Sequence, residues 1–344
     1  FVQYAMKATA EALEKANFPI DKVDLTRVGV LVGSGIGGIG EVEKQHQTLL
    51  ELGPARVSPF LITKMITDIA AGQIAIKWGF KGPNFSISTA CATSTHTIGE
   101  AYRLIQFGDA DVMVTGGAEA SITPLSLAGF CAIQALAFNY NEMPEKASRP
   151  FDAKREGFVM AEGCGIVILE ELNFALARNA PILAEIVGYA RTADAYHETA
   201  PCPDGDGAKR TMALAIQDAG LTPEEIEHIN AHGTSTRLND KSETQAIKSI
   251  FKDYAYKIPI TANKSIFGHM LGAAGAAEAI ATILTITNGI IPPTINYEEK
   301  DPECDLDYVP NQARFARIQT ILINAHSLGG MHSVLVLQSP RIEK

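Results

Sequence analysis

Cys91 lies where the sequence changes from one periodicity to another. Phe85, Ile87 and Thr89 alternate with small or polar residues, as in a strand, and apolar residues between positions 98 and 105 then recur at helical spacing. A thiol at the start of a helix faces unpaired backbone N–H groups and the positive end of the helix dipole, and both favour the thiolate. The position therefore indicates a nucleophile, with a small buried cysteine at a tight turn as the alternative.

Two histidines and a lysine follow predicted strands further along the chain. His232 begins a polar loop that contains glycine, and Lys264 and His269 lie in the loop after a strand that begins at Ile258. Ligands collect at the carboxyl ends of strands in open parallel sheets, where Cys91 is also predicted to lie. A thiolate with imidazole donors and an ammonium group suits acyl transfer through a thioester. Read singly, each histidine also fits a structural role and Lys264 a surface position.

A glycine cluster between positions 33 and 40 raises a different possibility. Gly33, Gly35 and Gly38 follow a strand-like run and match the GxGxxG pattern of dinucleotide sites. The segment after Gly40 is charged, whereas the helix of such a site carries small residues that pack on the sheet. A flexible turn is therefore the other interpretation.

Alternating strand and helix patterns along the whole chain must position these residues. The pattern predicts α/β layers with a mostly parallel sheet in each of two halves. We place the seam near residue 180, giving an N-terminal half of residues 1–180 with the nucleophile and a C-terminal half of residues 181–344 with the histidines and lysine. An apolar face of Val2, Ala5, Met6, Ala12 and Leu13, interrupted by Thr9, predicts a helix at the start of the chain.

Composition excludes several classes of function. Of 344 residues, 46% are hydrophobic, and 29 Lys and Arg against 39 Asp and Glu give a formal charge of −10, which argues against nucleic acid or an anionic membrane as the main partner. The five cysteines form no CxxC pair, so neither a disulfide framework nor a metal site is indicated, and a reducing compartment fits best. We expect no membrane span, since no apolar run reaches the necessary length, and no signal or transit peptide before the first helix.

Three segments, read in order, resemble the active-site signatures of elongating beta-ketoacyl-[acyl-carrier-protein] synthases, which are condensing enzymes of the thiolase superfamily. They are Thr-Ala-Cys-Ala-Thr from Thr89, Asn-Ala-His-Gly-Thr-Ser-Thr from Asn230, and Asn-Lys-Ser-Ile-Phe-Gly-His-Met-Leu-Gly-Ala-Ala-Gly from Asn263. Similarity extends over nearly the whole chain. The resemblance implies a thiolase-like fold, with two related α/β halves in a five-layered αβαβα arrangement, as a homodimer. It implies an acyl carrier protein as partner and no cofactor, because phosphopantetheine arrives on the carrier protein. It also implies the cytoplasm of a bacterium, or a plastid or mitochondrion.

The same resemblance implies a two-stage acyltransferase reaction of fatty acid biosynthesis. Cys91 would accept an acyl chain, and malonyl-carrier protein would then lose CO2 and attack the Cys91 thioester to give a 3-oxoacyl product. His232 and His269 would hold the malonyl thioester oxygen, Lys264 would orient the histidines, and Glu278 would support them.

Further positions match substrate contacts of the family. Thr234 and Thr236 match residues that line the pantetheine tunnel, Ile36 matches the end of the acyl pocket, and the N–H groups of Cys91 and Leu328 would meet the oxyanion. Ile36 thus offers a better account of the glycine cluster than a dinucleotide. Because the carrier protein is acidic, we expect a docking patch of basic residues, with solvated surface charge as the alternative. The patch residues are Arg149, Lys154 and Arg155.

Two features depart from the family pattern. The usual Asn-Ser-Phe-Gly-Phe-Gly-Gly-Thr-Asn loop reads Asn-Ala-His-Ser-Leu-Gly-Gly-Met-His from Asn324, so that Leu328 replaces the gating phenylalanine and Ser327 a glycine. We expect altered acyl-length selectivity or slower turnover, because leucine seals a tunnel less well and serine restricts the backbone. The family's first strand is also missing from the front, and a truncated record is the preferred explanation.

Four other functions remain as alternatives. A thiolase would use a second cysteine near Leu328, where this chain has none. A polyketide ketosynthase or a fatty-acid synthase fragment is chemically indistinguishable at this level. A non-catalytic chain-length partner generally lacks the nucleophile, which is present here as Cys91. A dinucleotide-dependent dehydrogenase is the most distant alternative.

Overall fold

The computed structural model describes residues 1–340, which form two compact units, each assembled from three segments of the chain. Unit 1 comprises Phe1–Ile133, Ala161–Pro181 and Met270–Ala276. Unit 2 comprises Gln134–Met160, Ile182–His269 and the described residues from Ala277 onward. The boundary between related halves near residue 180 stays a prediction. The two units are defined by which residues contact one another, and this criterion does not test whether two segments of the chain are structurally related.

Unit 1 is built on a four-stranded sheet whose strand order is β2-β1-β3-β4. The strands are β1 (Val28–Gly33), β2 (Asn84–Phe85), β3 (Val112–Glu119) and β4 (Gly163–Glu170). The first two neighbouring pairs are parallel, and β3 pairs with β4 antiparallel. Strands β1 and β3 are buried along their whole length, and the apolar run of β1 is typical of such a strand.

Seven helices belong to unit 1. They are α1 (Val2–Lys15), α2 (Ile39–Leu52), α3 (Leu61–Met65), α4 (Ile69–Trp78), α5 (Thr93–Gln106), α6 (Pro124–Ala132) and α7 (Leu172–Ala177). The predicted opening helix is confirmed: α1 buries Ala5, Thr9 and Leu13 and packs against the core that includes Val30 and Ile74. The charged segment after the glycine cluster also forms a helix, α2.

Unit 2 is built on a five-stranded sheet whose strand order is β5-β11-β10-β6-β7. Its strands are β5 (Glu185–Ala193), β6 (His228–Asn230), β7 (Ile260–Thr261), β10 (Thr320–His326) and β11 (Met331–Gln338), and β8 (Ile290–Ile291) and β9 (Arg314–Phe315) form a separate two-stranded ribbon. The helices are α8 (Asp206–Asp218), α9 (Arg237–Phe251), α10 (Lys264–Phe267) and α11 (Ala274–Asn288), whose first three residues belong to unit 1.

The two sheets have corresponding topologies. In unit 2 the pairs β7-β6 and β6-β10 are parallel, and β10-β11 is antiparallel. The order β7-β6-β10-β11 therefore repeats β2-β1-β3-β4 in sequence order and strand direction, and β5 is additional. This repetition confirms two related α/β halves. Each sheet is mixed, however, and the expectation of a mostly parallel sheet is wrong for unit 2, where half of the neighbouring pairs are antiparallel.

One helical stretch, Leu271–Asn288, has 18 residues and a mean hydropathy of 1.2, enough by length and composition to cross a membrane. The expectation that no apolar run reaches this length is therefore wrong. Buried core helices of globular proteins meet the same criterion, and 56% of this stretch is buried within the protein. The stretch is weak evidence for a membrane.

Candidate active site

Cys91 lies on a turn that joins strand β2 to helix α5 in unit 1. The turn is a single 3-10 turn, Ala90–Ala92, and the helix begins two residues after the cysteine. Ala90 has a positive φ of 47°, a conformation that is uncommon for residues other than glycine and that occurs often at functional turns. Cys91 is 8% exposed. The predicted position at the start of a helix is therefore confirmed, although the strand before it is shorter than its sequence pattern suggested.

Lys264 is the centre of a buried cluster in unit 2. Its ammonium group lies 2.6 Å from the carbonyl oxygen of His232 and 3.3 Å from the Nδ1 atom of the same residue, and it forms an ion pair with Glu278. An ammonium group has three N–H donors and no acceptor, so these three contacts use all of its donors. Nδ1 of His232 must therefore accept, and a neutral His232 ring carries its proton on Nε2.

Burial decides the charge of the two histidines. It lowers the pKa of His232 and of His269 well below the ordinary value, and the nearby Lys264 lowers both further. Both imidazoles are therefore neutral at physiological pH. Burial also raises the pKa of Glu278 to about 7, against the opposing effect of the Lys264 ammonium.

His269 is held beside His232 by its backbone. Its N–H group donates to the carbonyl oxygen of Val159 at 2.7 Å, and its ring packs edge-on against Phe158. The ring centroids of His232 and His269 are 5.5 Å apart, and the ring planes are nearly perpendicular, at 86°. Two neutral imidazoles in this arrangement can donate hydrogen bonds to one oxygen atom that gains negative charge.

Glu243, on helix α9, is a site residue that the sequence analysis missed. Its two oxygens accept the N–H groups of His232 at 2.8 Å and Gly233 at 2.9 Å, and the first also accepts from Asn324 at 3.0 Å. Burial opposes its ionisation, but contacts with His326 and these donors lower its pKa. The sequence did carry a signal for this residue. Glu243 precedes the buried Ala246 and Ile247 by three and four positions, and this spacing puts its carboxylate on the apolar face of helix α9.

The glycine cluster of unit 1 surrounds a second buried carboxylate, Glu119. Gly35 N–H and Ser34 Oγ donate to it at 2.8 Å, Gly272 N–H at 3.0 Å and Ile36 N–H at 3.3 Å. Burial raises the pKa of Glu119, and these donors oppose the rise. Loop N–H groups that would cradle a phosphate in a dinucleotide site thus bind a carboxylate of the protein itself, which argues against the dinucleotide alternative.

The other predicted substrate contacts lie on loops beside these elements. Thr234 and Thr236 follow His232, and their hydroxyl oxygens are 2.9 Å apart. Ile36 is half-buried in the glycine cluster. Leu328 is half-buried in the turn between β10 and β11, where the Ser327 hydroxyl donates to the Leu328 carbonyl at 3.2 Å. Their roles toward substrate stay predictions.

The predicted docking patch is wrong for two of its three residues. Arg149 is 1% exposed, and its guanidinium donates to Asp152 and Glu298, each at 3.0 Å. Arg155 is 3% exposed and pairs with Asp301 at 2.6 Å. Both arginines satisfy acidic groups inside unit 2. Lys154 does lie on the surface, in an ion pair with Glu299.

Comparison with known proteins assigns the chain to a family of condensing enzymes. The family model "Beta-ketoacyl synthase, N-terminal domain" matches residues 1–175, and "Beta-ketoacyl synthase, C-terminal domain" matches residues 183–298. The chain is 51% identical to 3-oxoacyl-[acyl-carrier-protein] synthase 2 of Synechocystis over 98% of this chain and 81% of that protein. The enzyme of the same name from Coxiella burnetii is 48% identical over 98% and 81% of the respective lengths.

Solved structures agree with the sequence comparison. A type II polyketide ketosynthase, in complex with its acyl-carrier protein and bound to the hexaketide, superposes with a TM-score of 0.94 at 37% identity, covering 99% of this chain and 85% of that one. A beta-ketoacyl synthase from Burkholderia phymatum superposes with a TM-score of 0.92 at 35% identity, covering 99% and 82%. The chain thus has the thiolase-like fold of the ketosynthases.

Proposed function

This chain belongs to the beta-ketoacyl synthase family, and on that premise we propose that it elongates fatty acids by decarboxylative condensation of an acyl-enzyme thioester with malonyl-acyl-carrier protein. It is an acyltransferase of the 3-oxoacyl-[acyl-carrier-protein] synthase type. Fatty acid elongation is favoured over polyketide synthesis because identity to the curated fatty-acid enzymes is 48–51%, against 37% for the polyketide ketosynthase.

In the first stage, the Cys91 thiolate attacks the carbonyl carbon of an acyl-carrier-protein thioester. The tetrahedral oxyanion collapses, the carbon–sulfur bond to phosphopantetheine breaks, and the acyl chain remains on Cys91. The N–H groups of Cys91 and Leu328 are the proposed donors to that oxyanion. The start of helix α5, two residues from the sulfur, favours the thiolate that this attack requires.

In the second stage, the carbon–carbon bond to the malonyl carboxylate breaks and CO2 leaves. Negative charge moves to the thioester oxygen, where Nε2–H of His232 and the neutral ring of His269 would donate hydrogen bonds. The enolate carbon then attacks the Cys91 thioester, and the departure of the Cys91 thiolate yields the 3-oxoacyl product, two carbons longer. Neutral imidazoles can serve this step, because each still carries one N–H group that can donate to the new charge.

The carrier protein is the proposed partner on both occasions. A structural relative is described as a ketosynthase in complex with its acyl-carrier protein, which supports this proposal. With Arg149 and Arg155 buried, Lys154 is the remaining member of the predicted docking patch. We further propose a homodimer that needs no cofactor of its own, since phosphopantetheine arrives on the carrier protein.

The observation that carries this proposal is that all three N–H donors of the Lys264 ammonium are used. Nδ1 of His232 must then accept, so the Nε2 atom of neutral His232 is a donor. The test is intact-protein mass spectrometry after incubation with acyl-acyl-carrier protein, followed by addition of malonyl-carrier protein. We expect one acyl adduct, absent from Cys91→Ala, that is discharged as 3-oxoacyl-carrier protein in the wild type. In His232→Ala we expect the adduct to form and to persist.

A matched control addresses non-specific acylation. Cys131 is an exposed cysteine in unit 1, and Cys131→Ala should form the adduct as the wild type does. An adduct that survives in Cys91→Ala, or that disappears in Cys131→Ala, would contradict the assignment of the nucleophile.

A further inference from the structure

Two histidines that depart from the family loop face each other at the base of the turn that carries Leu328. His326 ends strand β10, His332 lies at the start of β11, and they are directly opposite in the antiparallel register. Their Nδ1 atoms are 2.8 Å apart, and both residues are buried, with exposures of 7% and 3%. We call this pair the histidine dyad.

The distance between the inner nitrogens fixes their proton content. At 2.8 Å the two Nδ1 atoms form a hydrogen bond, which needs one donor and one acceptor. Two protons there would clash, and none would set two lone pairs against each other. The inner nitrogens therefore share one proton.

The outer nitrogens each face a buried carboxylate. Nε2 of His332 lies 2.8 Å from Oδ1 of Asp194, a charge contact that falls outside hydrogen-bond angles, and Nε2 of His326 lies 3.6 Å from Oε1 of Glu243. The carboxylate side chains are 2% and 0% exposed. An ionised carboxylate only accepts, so a lone pair on either outer nitrogen would face negative charge in a low-dielectric interior. Both outer nitrogens are favoured as N–H.

We propose that the histidine dyad holds three N–H protons at neutral pH, and so one buried positive charge, and that this cation positions the reactive loop at His232. The proposal rests on the proposed function for the role of His232, but the proton count does not. Neither Asp194 nor the dyad is assigned a part in the two-stage reaction above.

The connection to His232 runs through Glu243. That carboxylate faces His326 on one side and accepts the N–H groups of His232 and Gly233 on the other. The rings of His326 and His232 are also only 5.4 Å apart, edge to face. A cation at the dyad therefore keeps Glu243 ionised as an anchor for the loop and disfavours a second positive charge on His232.

Other charged groups around the dyad are consistent with a single cation. Asp194, after β5, and Glu243, on α9, face it with negative charge, while Arg210, on α8, and His232 face it from the remaining sides, with Lys264 beyond His232. A fourth N–H proton, which would give the dyad a second positive charge, is resisted: burial and the neighbouring His326 outweigh Asp194 and lower the pKa of His332 to about 4. Two carboxylates against one dyad cation leave the cluster without excess positive charge.

The proton count is tested by nitrogen NMR of the wild-type protein with 15N-labelled histidine at pH 7.5. A scalar coupling across the Nδ1–H···Nδ1 hydrogen bond identifies the dyad without any variant. We expect three of its four ring nitrogens to be protonated. Two protonated nitrogens would overturn the proposal, and so would four. This result does not depend on any catalytic activity, so a protein that failed to condense acyl chains would still report it.

The positioning role is tested by the pH profile of malonyl-carrier-protein decarboxylation. The double variant His326→Phe/His332→Asn restores the family residues at both positions and removes the cation. We expect the ratio of activity at pH 8 to activity at pH 5.5 to rise by about three- to tenfold, because His232 protonates more readily without the neighbouring charge.

The conservative variant His326→Gln covers the case in which the double variant does not fold. It keeps an N–H donor toward Glu243 but carries no charge, and it should show the same change in ratio. A uniform loss of activity across the pH range in both variants would indicate a structural role alone and would refute the positioning role.

Discussion

Replacing Lys264 by methionine tests both the stability and the chemistry of the buried cluster. The substitution keeps the length and apolar stem of the side chain and removes the ammonium that contacts His232 and Glu278. Lys264 and Glu278 are 1% and 0% exposed, so the remaining carboxylate would have no counter-ion and no access to water. Breaking one partner of a buried ion pair costs about 3–5 kcal/mol of the free energy of unfolding.

The pH dependence of that loss follows from Glu278. Its pKa is already about 7 with Lys264 present, and losing the ammonium raises it further. In the variant, the folded state then holds a proton that the unfolded state releases above its ordinary pKa of 4.5. Stability therefore falls as pH rises through neutrality, and the loss relative to wild type should be larger at pH 8.5 than at pH 6. Denaturant unfolding at the two pH values measures this difference.

Two comparisons make the experiment decisive. Lys154→Met breaks an exposed ion pair with Glu299 and should leave unfolding within experimental error of wild type, since such pairs contribute little. Lys264→Met/Glu278→Gln removes the uncompensated carboxylate and should regain about half of the lost stability. Malonyl decarboxylation should stay about 10²- to 10³-fold below wild type in both Lys264 variants, because nothing then holds the tautomer of His232. Equal destabilisation by the Lys154 and Lys264 substitutions, or full recovery of decarboxylation in the double variant, would refute the reasoning.

Four further predictions address other parts of the molecule. Leu328→Phe should change the ranking of acyl-chain lengths in condensation kinetics, and identical kinetics across a series of lengths would count against a gate at this turn. His228 is buried and its pKa falls to about 3, so this residue alone should cost up to about 1.4 kcal/mol of stability per pH unit as the pH falls below 6.5, and His228→Gln should flatten the slope in unfolding titrations by that amount. Glu119→Gln places an amide N–H against loop donors and should lower the unfolding free energy by about 1–3 kcal/mol, with unchanged stability as the contrary result. Arg149→Glu should lower the melting temperature, because Arg149 pairs with acidic groups within unit 2. Weaker carrier-protein binding with an unchanged melting temperature would instead support a docking role for Arg149.

Local patterns were sufficient to place the candidate nucleophile and two of the candidate basic residues after strands. Cys91, His232 and Lys264 each follow a strand, and the strand-end rule for α/β sheets brings such residues to the functional edge of their own sheet. The positive φ at Ala90 has no signature in composition, because it is imposed by the tight connection between strand and helix.

The sequence alone could not predict ion pairs between residues that are far apart along the chain. Arg149 and Arg155 carry charge in a loop-rich stretch, which is typical of a surface, and their burial depends on Glu298 and Asp301, almost 150 positions away. Charge alone therefore gave a docking patch where the fold has internal ion pairs.

The interleaving of the chain between the two units limits how the protein can be divided. The seven residues Met270–Ala276 belong to unit 1, where Gly272 donates to Glu119 at 3.0 Å and Ala276 donates to the Ser94 hydroxyl at 2.8 Å. A fragment that stopped at Pro181 would lack both donors, leaving two buried oxygens without these partners. Split-protein reporters or domain grafts cut at this point therefore need that heptapeptide supplied in trans. A fusion partner inserted between the family's two matched regions must still allow the heptapeptide to pack in unit 1.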